Sequence, residues 1–232
     1  MAVFVISDLH LSFGNNKPMD IFGVRWENHE KKIEQGWEIS GITDEDVVVI
    51  PGDISWALKL EDTHLDFTFL ENLKGLKIIG RGNHDLWWTT ETKVKKMFWG
   101  NDINTVKLLH NNAFETDEYT ICGTRGWYYD EKNAPADTDY NKIINREVIR
   151  LELSLTQGAK FGKEILVFMH FPPVFKDYVC AELIEMLKKY GIQRCFFGHI
   201  HSVYDIPPVF EYGGIRFELV SADYLNFIPI KI

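Results

Sequence analysis

Asp8-Leu9-His10, Gly52-Asp53, Gly82-Asn83-His84-Asp85, His170 and Gly198-His199-Ile200-His201 together offer a complete ligand set for two metal ions. Imidazole nitrogens combined with carboxylate and amide oxygens suit borderline ions such as manganese, iron and zinc, and one carboxylate among them can bridge a pair. The chemistry that such a pair performs is hydrolysis of a phosphate ester. Five of the eight histidines fall inside these fragments; His29, His64 and His110 do not, and they read as ordinary packing or surface residues. In Asp8-x-His10 and His199-x-His201 the side chains stand two residues apart, so extended backbone or a tight turn points both the same way.

Something must bring these fragments together, and what precedes each one supplies it. Residues 2–6, 47–50, 76–79, 165–169 and 195–197 are short, largely apolar runs, the pattern of strands buried on both faces. Each candidate ligand then stands at the carboxyl end of a strand, the edge where open α/β sheets carry their sites. Between the strands, the pattern predicts a helix over 24–40, a helix carrying Leu65, Phe69, Leu70 and Leu73, and a helix over 90–98, with strand-like runs at 105–109 and 119–122. A longer helix, capped by Asp137 or Thr138, has Ile144, Val148, Leu151 and Leu155 as its buried stripe. Past His201, a hairpin with Gly213-Gly214 at its tip is expected. Parallel βα units early and antiparallel strands late predict an α/β fold of two packed mixed β-sheets flanked by helices.

In order and content the five blocks resemble those of the calcineurin-like metallophosphoesterase superfamily, and residues 81–88 and 123–127 are similar to a subgroup of predicted phosphohydrolases. The resemblance runs from Asp8 to His201. It implies a four-layer sandwich in which Asp8, His10 and His201 hold one ion, Asn83, His170 and His199 hold the other, and Asp53 bridges both. Two ions about 3.5–4 Å apart can share a water, lower its pKa from about 15.7 toward about 7, and stabilise the attacking and leaving oxygens. The implied nucleophile is hydroxide rather than a side chain. His84 takes the task of protonating or stabilising the leaving oxygen, with Asp85 orienting it; an imidazole suits proton transfer because its ordinary pKa lies near neutrality.

The loops that follow the ligands are rich in aromatics: Trp56, Trp87, Trp88, Trp127, Tyr128 and Tyr129. Trp56, Trp87 and Trp127 are candidate walls of a substrate pocket, where a ring would stack a nucleobase or simply pack the loop. Arg125 is a candidate phosphate fork or a partner in a salt bridge, while Arg146 and Arg150 are expected to pair with Glu147 or Glu152 on their own helix. Residues 19–26 can lean over the cleft as a lid or serve as scaffold.

A chain of 232 residues without a Pro/Ser-rich linker fits one domain spanning residues 1–232. The formal charge of −9 argues against a nucleic-acid polymer as partner, since such partners call for a basic face. Cys122, Cys180 and Cys195 are odd in number and lack a Cys-x-x-Cys pair, so reduced, partly buried thiols are expected. No apolar run approaches the ~18 residues needed to cross a bilayer, and no basic, apolar leader pattern opens the chain. A cytoplasmic enzyme with two metal ions and a small phosphorylated substrate is the expectation. A protein phosphatase, or a silent interaction scaffold on the same fold, are the alternatives; oligomeric state stays open.

Overall fold

The computed structural model describes residues 1–15, 17–127 and 139–232. In chain order the elements are β1 (Val3–Val5), α1 (His29–Ser40), β2 (Val47–Ile50), α2 (His64–Asn72), β3 (Leu76–Ile79), α3 (Glu91–Gly100), β4 (Val106–Leu108), β5 (Ala113–Glu115) and β6 (Tyr119–Thr124). They continue with α4 (Tyr140–Gly158), β7 (Glu164–Met169), β8 (Val174–Phe175), β9 (Tyr178–Val179), α5 (Ala181–Lys189), β10 (Arg194–Phe197), β11 (Val209–Tyr212), β12 (Ile215–Leu219) and β13 (Ile230–Lys231).

The strands build a five-stranded sheet, β13-β1-β2-β3-β4, and a six-stranded sheet, β11-β12-β10-β7-β6-β5, with β8 and β9 forming a small separate pair. Alternation along each strand decides which face meets what. Val3, Val5, Val47, Val49 and Ile78 of the first sheet pack against Ile121, Leu166, Phe168 and Phe196 of the second. Their neighbours Phe4, Val48, Ile50 and Ile79 turn the other way, onto Ile33, Trp37, Phe67, Leu70, Val94 and Phe98 of the first three helices. Val167, Met169, Cys195 and Phe197 likewise face Ile144, Leu151, Leu155, Leu183 and Leu187 of α4 and α5. Both faces of both sheets are therefore covered, which is why Val47–Ile50 reads as an unbroken apolar run. The result is the expected sandwich of two mixed sheets between helices.

Local details depart from the sequence pattern for identifiable reasons. The helix expected over 24–40 begins only at His29, because Asn28 takes a left-handed conformation and the preceding residues form two short 3-10 turns. On α2 the buried residues include Phe67 and Leu70, whereas Leu65 points to solvent; the 3-10 turn Leu60–Thr63 leads into the helix. Asp139 caps α4, its side chain accepting from the Lys142 N–H; Asp137 and Thr138, with Tyr128 and Tyr129, lie outside the described residues. The late strands are not all antiparallel: β12 runs parallel to β10, and antiparallel pairing is confined to the edges β5, β11 and β13 and to the β8–β9 pair. The hairpin between β11 and β12 does turn on Gly213 and Gly214, both at positive φ, with Tyr212 opposite Ile215.

The parallel core gathers strand ends on one rim. The strands β1, β2 and β3 share one direction, as do β6, β7, β10 and β12. Beyond their carboxyl ends the two sheets are tied together, the Ser7 N–H donating to the Val220 carbonyl at 2.7 Å and the Ala222 N–H to the Ser7 carbonyl at 2.8 Å. Cys122, Cys180 and Cys195 are buried free thiols. Among the described residues no helix is long and apolar enough to cross a membrane.

Candidate metal centre

The segment leaving β1 and the segment leaving β2 run on side by side past the end of the sheet. The Asp8 N–H donates to the Gly52 carbonyl at 3.0 Å, His10 to Asp53 at 2.9 Å and Leu11 to Ile54 at 2.9 Å. Asp8, His10, Asp53 and His199 all hold positive φ, at 61°, 49°, 51° and 70°, a region that costs a non-glycine residue on the order of 1 kcal/mol or more. The turn aims Asp8 and His10 at one spot while Leu9 between them enters the core. Four such residues within one rim mark a place where geometry has been favoured over relaxation.

Gly82 explains one fixed position of the motif: a Cβ there would stand 2.0 Å from Asp53 Oδ1, so no side chain fits between the third fragment and the second carboxylate. The two buried carboxylates are each held by backbone from another fragment. Asp53 Oδ1 accepts from the His84 N–H at 2.8 Å, and both oxygens of Asp8 accept from the His199 N–H at 3.0 Å. Each carboxylate also faces imidazoles. Asp53 Oδ2 lies 3.7 Å from His10 Nε2 and 3.5 Å from His170 Nε2, and Asp8 Oδ1 lies 3.6 Å from His201 Nε2 and 3.7 Å from His170 Nδ1. His10 Nε2 and His201 Nε2 face each other at 3.3 Å, and Asn83 Oδ1 approaches His170 Nε2 to 2.7 Å. The His199 ring stands 5.2 Å, centroid to centroid, from that of His170.

These spacings suit bound cations. Ligands at about 2.0–2.2 Å from an ion are separated from one another by roughly 3–3.5 Å. Asp8, His10 and His201 can hold an ion together, as can Asp8, Asp53 and His170. Asp8 is common to both groups, whereas the family resemblance implies that Asp53, whose Oδ2 stands between His10 and His170, takes the shared place. Buried Nδ1 atoms of His10 and His170 have no hydrogen-bond partner.

The electrostatics point the same way. Burial, then the neighbouring imidazoles, hold His10 and His170 well below the ordinary histidine range, so their rings are neutral and able to ligate. His199 is pushed down to about 4, chiefly by burial. His201 is the exception: burial opposes its charge, but Asp223 and Asp8 outweigh it and lift the ring to about 10. Asp53 is pushed up by burial, then by Asp8 and Asp85, a crowding of carboxylates that positive charge relieves.

Comparison with protein families places the chain. The family described as calcineurin-like phosphoesterase matches residues 1–203. The chain belongs to that family. It is accordingly a metal-dependent phosphoesterase, a hydrolase of phosphate esters. A Xenorhabdus bovienii (strain SS-2004) protein named "probable cyclic nucleotide phosphodiesterase" is 23% identical over 211 residues, covering 87% of this chain and 79% of that protein. A crystal structure of a Thermus thermophilus protein aligns with a TM-score of 0.58 at 13% identity, over 96% of this chain and 89% of that one, a likeness of fold.

The remaining candidates of this phosphoesterase separate into those at the site and those that support it. His84 lines a cavity of about 370 Å³ together with His10, Trp26, Trp56 and His201. Asp85 does not orient it: the buried Asp85 carboxylate accepts from the N–H groups of Asp53, Ile54, Ser55 and Gly82 and from Trp87 Nε1, at 2.7–3.2 Å. It clamps two ligand-bearing loops to each other. Trp87 is no pocket wall either, being fully buried against Phe67 and Trp88. Trp56 is one, stacked on His10 at 4.9 Å and beside His84 at 4.2 Å. Trp127 and Arg125 lie against Phe171, on the His170 and His199 side.

Residues 19–26 do reach the cleft. Met19, Phe22 and Trp26 line the cavity, and Trp56 Nε1 donates to Met19 Sδ at 3.0 Å. Two residues at the site, Lys17 and Asp223, are not named by the sequence motifs. Lys17 sits over the Trp56 ring, and Trp26 packs edge-on against His10 and His201. Asp223 accepts from His201 Nδ1 at 2.8 Å, from the Ser202 N–H at 3.0 Å and from the Tyr204 hydroxyl at 2.9 Å. Asp223 carried a signal after all, since it follows β12 as the ligands follow their strands.

Proposed function

We propose that the protein is a dinuclear phosphohydrolase of small phosphate mono- or diesters, nucleotides foremost. In this reading Asp8, His10 and His201 hold one ion, Asn83, His170 and His199 hold the other, and Asp53 stands between them. The observation that carries it is the gathering of six such side chains, from five strand ends, around contacts of 2.7–3.7 Å, with the His199 ring 5.2 Å from that of His170. Manganese, iron or zinc would supply Lewis acidity and a water acidic enough to act as nucleophile near neutral pH.

The chain's own residues do the rest. Asp223 receives the Nδ1 proton of His201 and so presents Nε2 to the ion. Asp85 fixes the Asp53 and Gly82 loops relative to each other. His84, with its N–H anchored on Asp53, turns its ring into the cavity. Burial, and then Lys17, hold that ring down to about 4; an anionic phosphoryl group beside it offsets both effects and favours the protonated form that donates to the leaving oxygen.

The cavity supports a small substrate rather than a phosphoprotein. Its volume of about 370 Å³ and its lining by Lys17, Phe22, Trp26 and Trp56 suit a planar group stacked on rings with an anion beside an ammonium. The resemblance to a protein named as a cyclic nucleotide phosphodiesterase agrees with that class. The complete ligand set speaks against a silent scaffold. The test is a screen of purified protein loaded separately with manganese, iron and zinc against nucleotide monoesters, cyclic and linear diesters, and phosphopeptides. Bound metal near two ions per chain with turnover of a nucleotide ester is expected; preference for phosphopeptides over every nucleotide would overturn the substrate class.

A further inference from the structure

Away from the ligands, four arginines converge in a chain whose formal charge is −9. Arg81 follows β3 and Arg125 follows β6, each just past the end of a strand in the parallel core; Arg146 and Arg150 lie one turn apart on α4. Burial disfavours the charge on Arg81 and Arg125; Asp85 and Glu147 respectively pull the other way, and the neighbouring arginines repel each of them. Among the described residues the carboxylate between them is Glu147, already engaged: it accepts from Thr124 Oγ1 at 2.8 Å and Arg150 Nη1 at 2.7 Å, with Arg146 Nε at 4.0 Å. Asp85, the other nearby acid, has turned both its oxygens to backbone amides and Trp87.

Arg81 and Arg125 are left over. The Nε of each is buried and has no hydrogen-bond partner among the described residues. A guanidinium nitrogen buried without an acceptor is unfavourable. The Arg125 guanidinium lies 5.8 Å from the centre of the Phe171 ring, and that ring contacts His199 at 4.5 Å and His170 at 5.0 Å. Arg125 therefore borders the His170 and His199 half of the centre and Arg81 stands two residues before Asn83, whereas the aromatic cavity borders the His10 and His201 half.

We propose that Arg81 and Arg125 hold a second phosphate group of the substrate, separate from the ester that is cleaved, so that the preferred substrates are phosphate esters carrying two phosphates. A planar guanidinium fork matches phosphate oxygens in pairs, and two forks meeting one anion satisfy the donors that the protein leaves open. Which group is cleaved rests on the phosphohydrolase reading; the anion site itself does not.

The experiment has a binding arm and a turnover arm. In the first, pyrophosphate is titrated into the full chain stripped of metal with a chelator, for the unaltered protein and for Arg81→Gln, Arg125→Gln and the double variant. Binding by the unaltered protein is expected, weakened about tenfold by each substitution, while Arg125→Lys retains part of it. Because the two guanidinium groups repel each other, the single variants are expected to melt no lower than the parent without ligand. A pyrophosphate affinity unmoved by the double variant, or single variants that melt several degrees lower, would overturn the assignment in favour of a structural role. In the second arm, with manganese, the ratio of kcat/KM between adenosine 3′,5′-bisphosphate and adenosine 5′-monophosphate is expected to exceed tenfold and to collapse toward one in the double variant; a ratio near one in the parent counts against the proposal. Failure to hydrolyse any ester would remove the phosphohydrolase reading while leaving the pyrophosphate result to decide this one.

Discussion

Asp223 Oδ1 accepts the Nδ1 proton of His201 at 2.8 Å, and the same carboxylate ties down Ser202 and Tyr204. A ligand histidine whose far nitrogen is held by a carboxylate is fixed in tautomer and orientation, and loss of such support typically weakens metal binding about 10–100-fold. Asp223→Asn is expected to weaken manganese affinity by that factor in calorimetric titration, with the fold retained. Affinity equal to that of the parent would show that His201 needs no such partner.

Asp53 and His84 touch each other through one hydrogen bond, yet they should fail differently. Asp53→Asn removes a buried charge that stands 3.5 Å from His170 Nε2 and 3.7 Å from His10 Nε2, so bound metal should fall first. His84→Ala removes only the ring facing the cavity; metal content should persist while kcat on an ester with a poor leaving group drops about 10²–10⁴-fold. Elemental analysis beside turnover separates the two, and a His84→Ala protein as fast as the parent would end the assignment.

The tryptophans make a second contrast. Trp87 is fully buried and its Nε1 donates to Asp85 Oδ1 at 3.0 Å, so Trp87→Ala should cost about 3–5 kcal/mol of stability from the cavity it leaves. Trp56 is half-buried and stacked beside His10 and His84. Trp56→Ala should chiefly raise KM for substrates with a ring, with a smaller loss in urea unfolding than Trp87→Ala. The reverse ranking in the two assays would contradict the division between wall and core.

The candidate metal centre is legible in the sequence because the chemistry restricts possible ligands to a few residue types and the buried strands precede them without interruption. Val47 to Ile50 could be read as a strand, and its alternate residues do face the opposite sheet and the helices. Support was harder to see. Asp223 is a single carboxylate after a strand, with nothing in its neighbours to announce His201 as a partner. Trp87 looked like a pocket residue because it follows Asp85, but that carboxylate turns inward and draws the indole with it. The late start of α1 depends on Asn28 adopting left-handed backbone, which a periodic apolar pattern cannot reveal.

Lys77 offers a test of the fold that is independent of the metal centre. It lies on β3, fully buried, with its ammonium donating to the Leu73 carbonyl just past the end of α2. Burial lowers its pKa to about 8, against the pull of Glu71 and Asp44. In the unfolded chain the group titrates near about 10.4. Between those values the unfolded state binds a proton that the native state does not, so stability rises with pH across that window. Below about 8 both states are charged and the native protein bears the whole cost, on the order of 3 kcal/mol; above about 10.4 both are neutral and the cost is gone. Lys77→Met, in metal-stripped protein, should therefore raise the urea midpoint at about pH 7.5 and lose most of that advantage by about pH 10.5. An advantage of equal size at both pH values would mean that the ammonium is not desolvated in the fold.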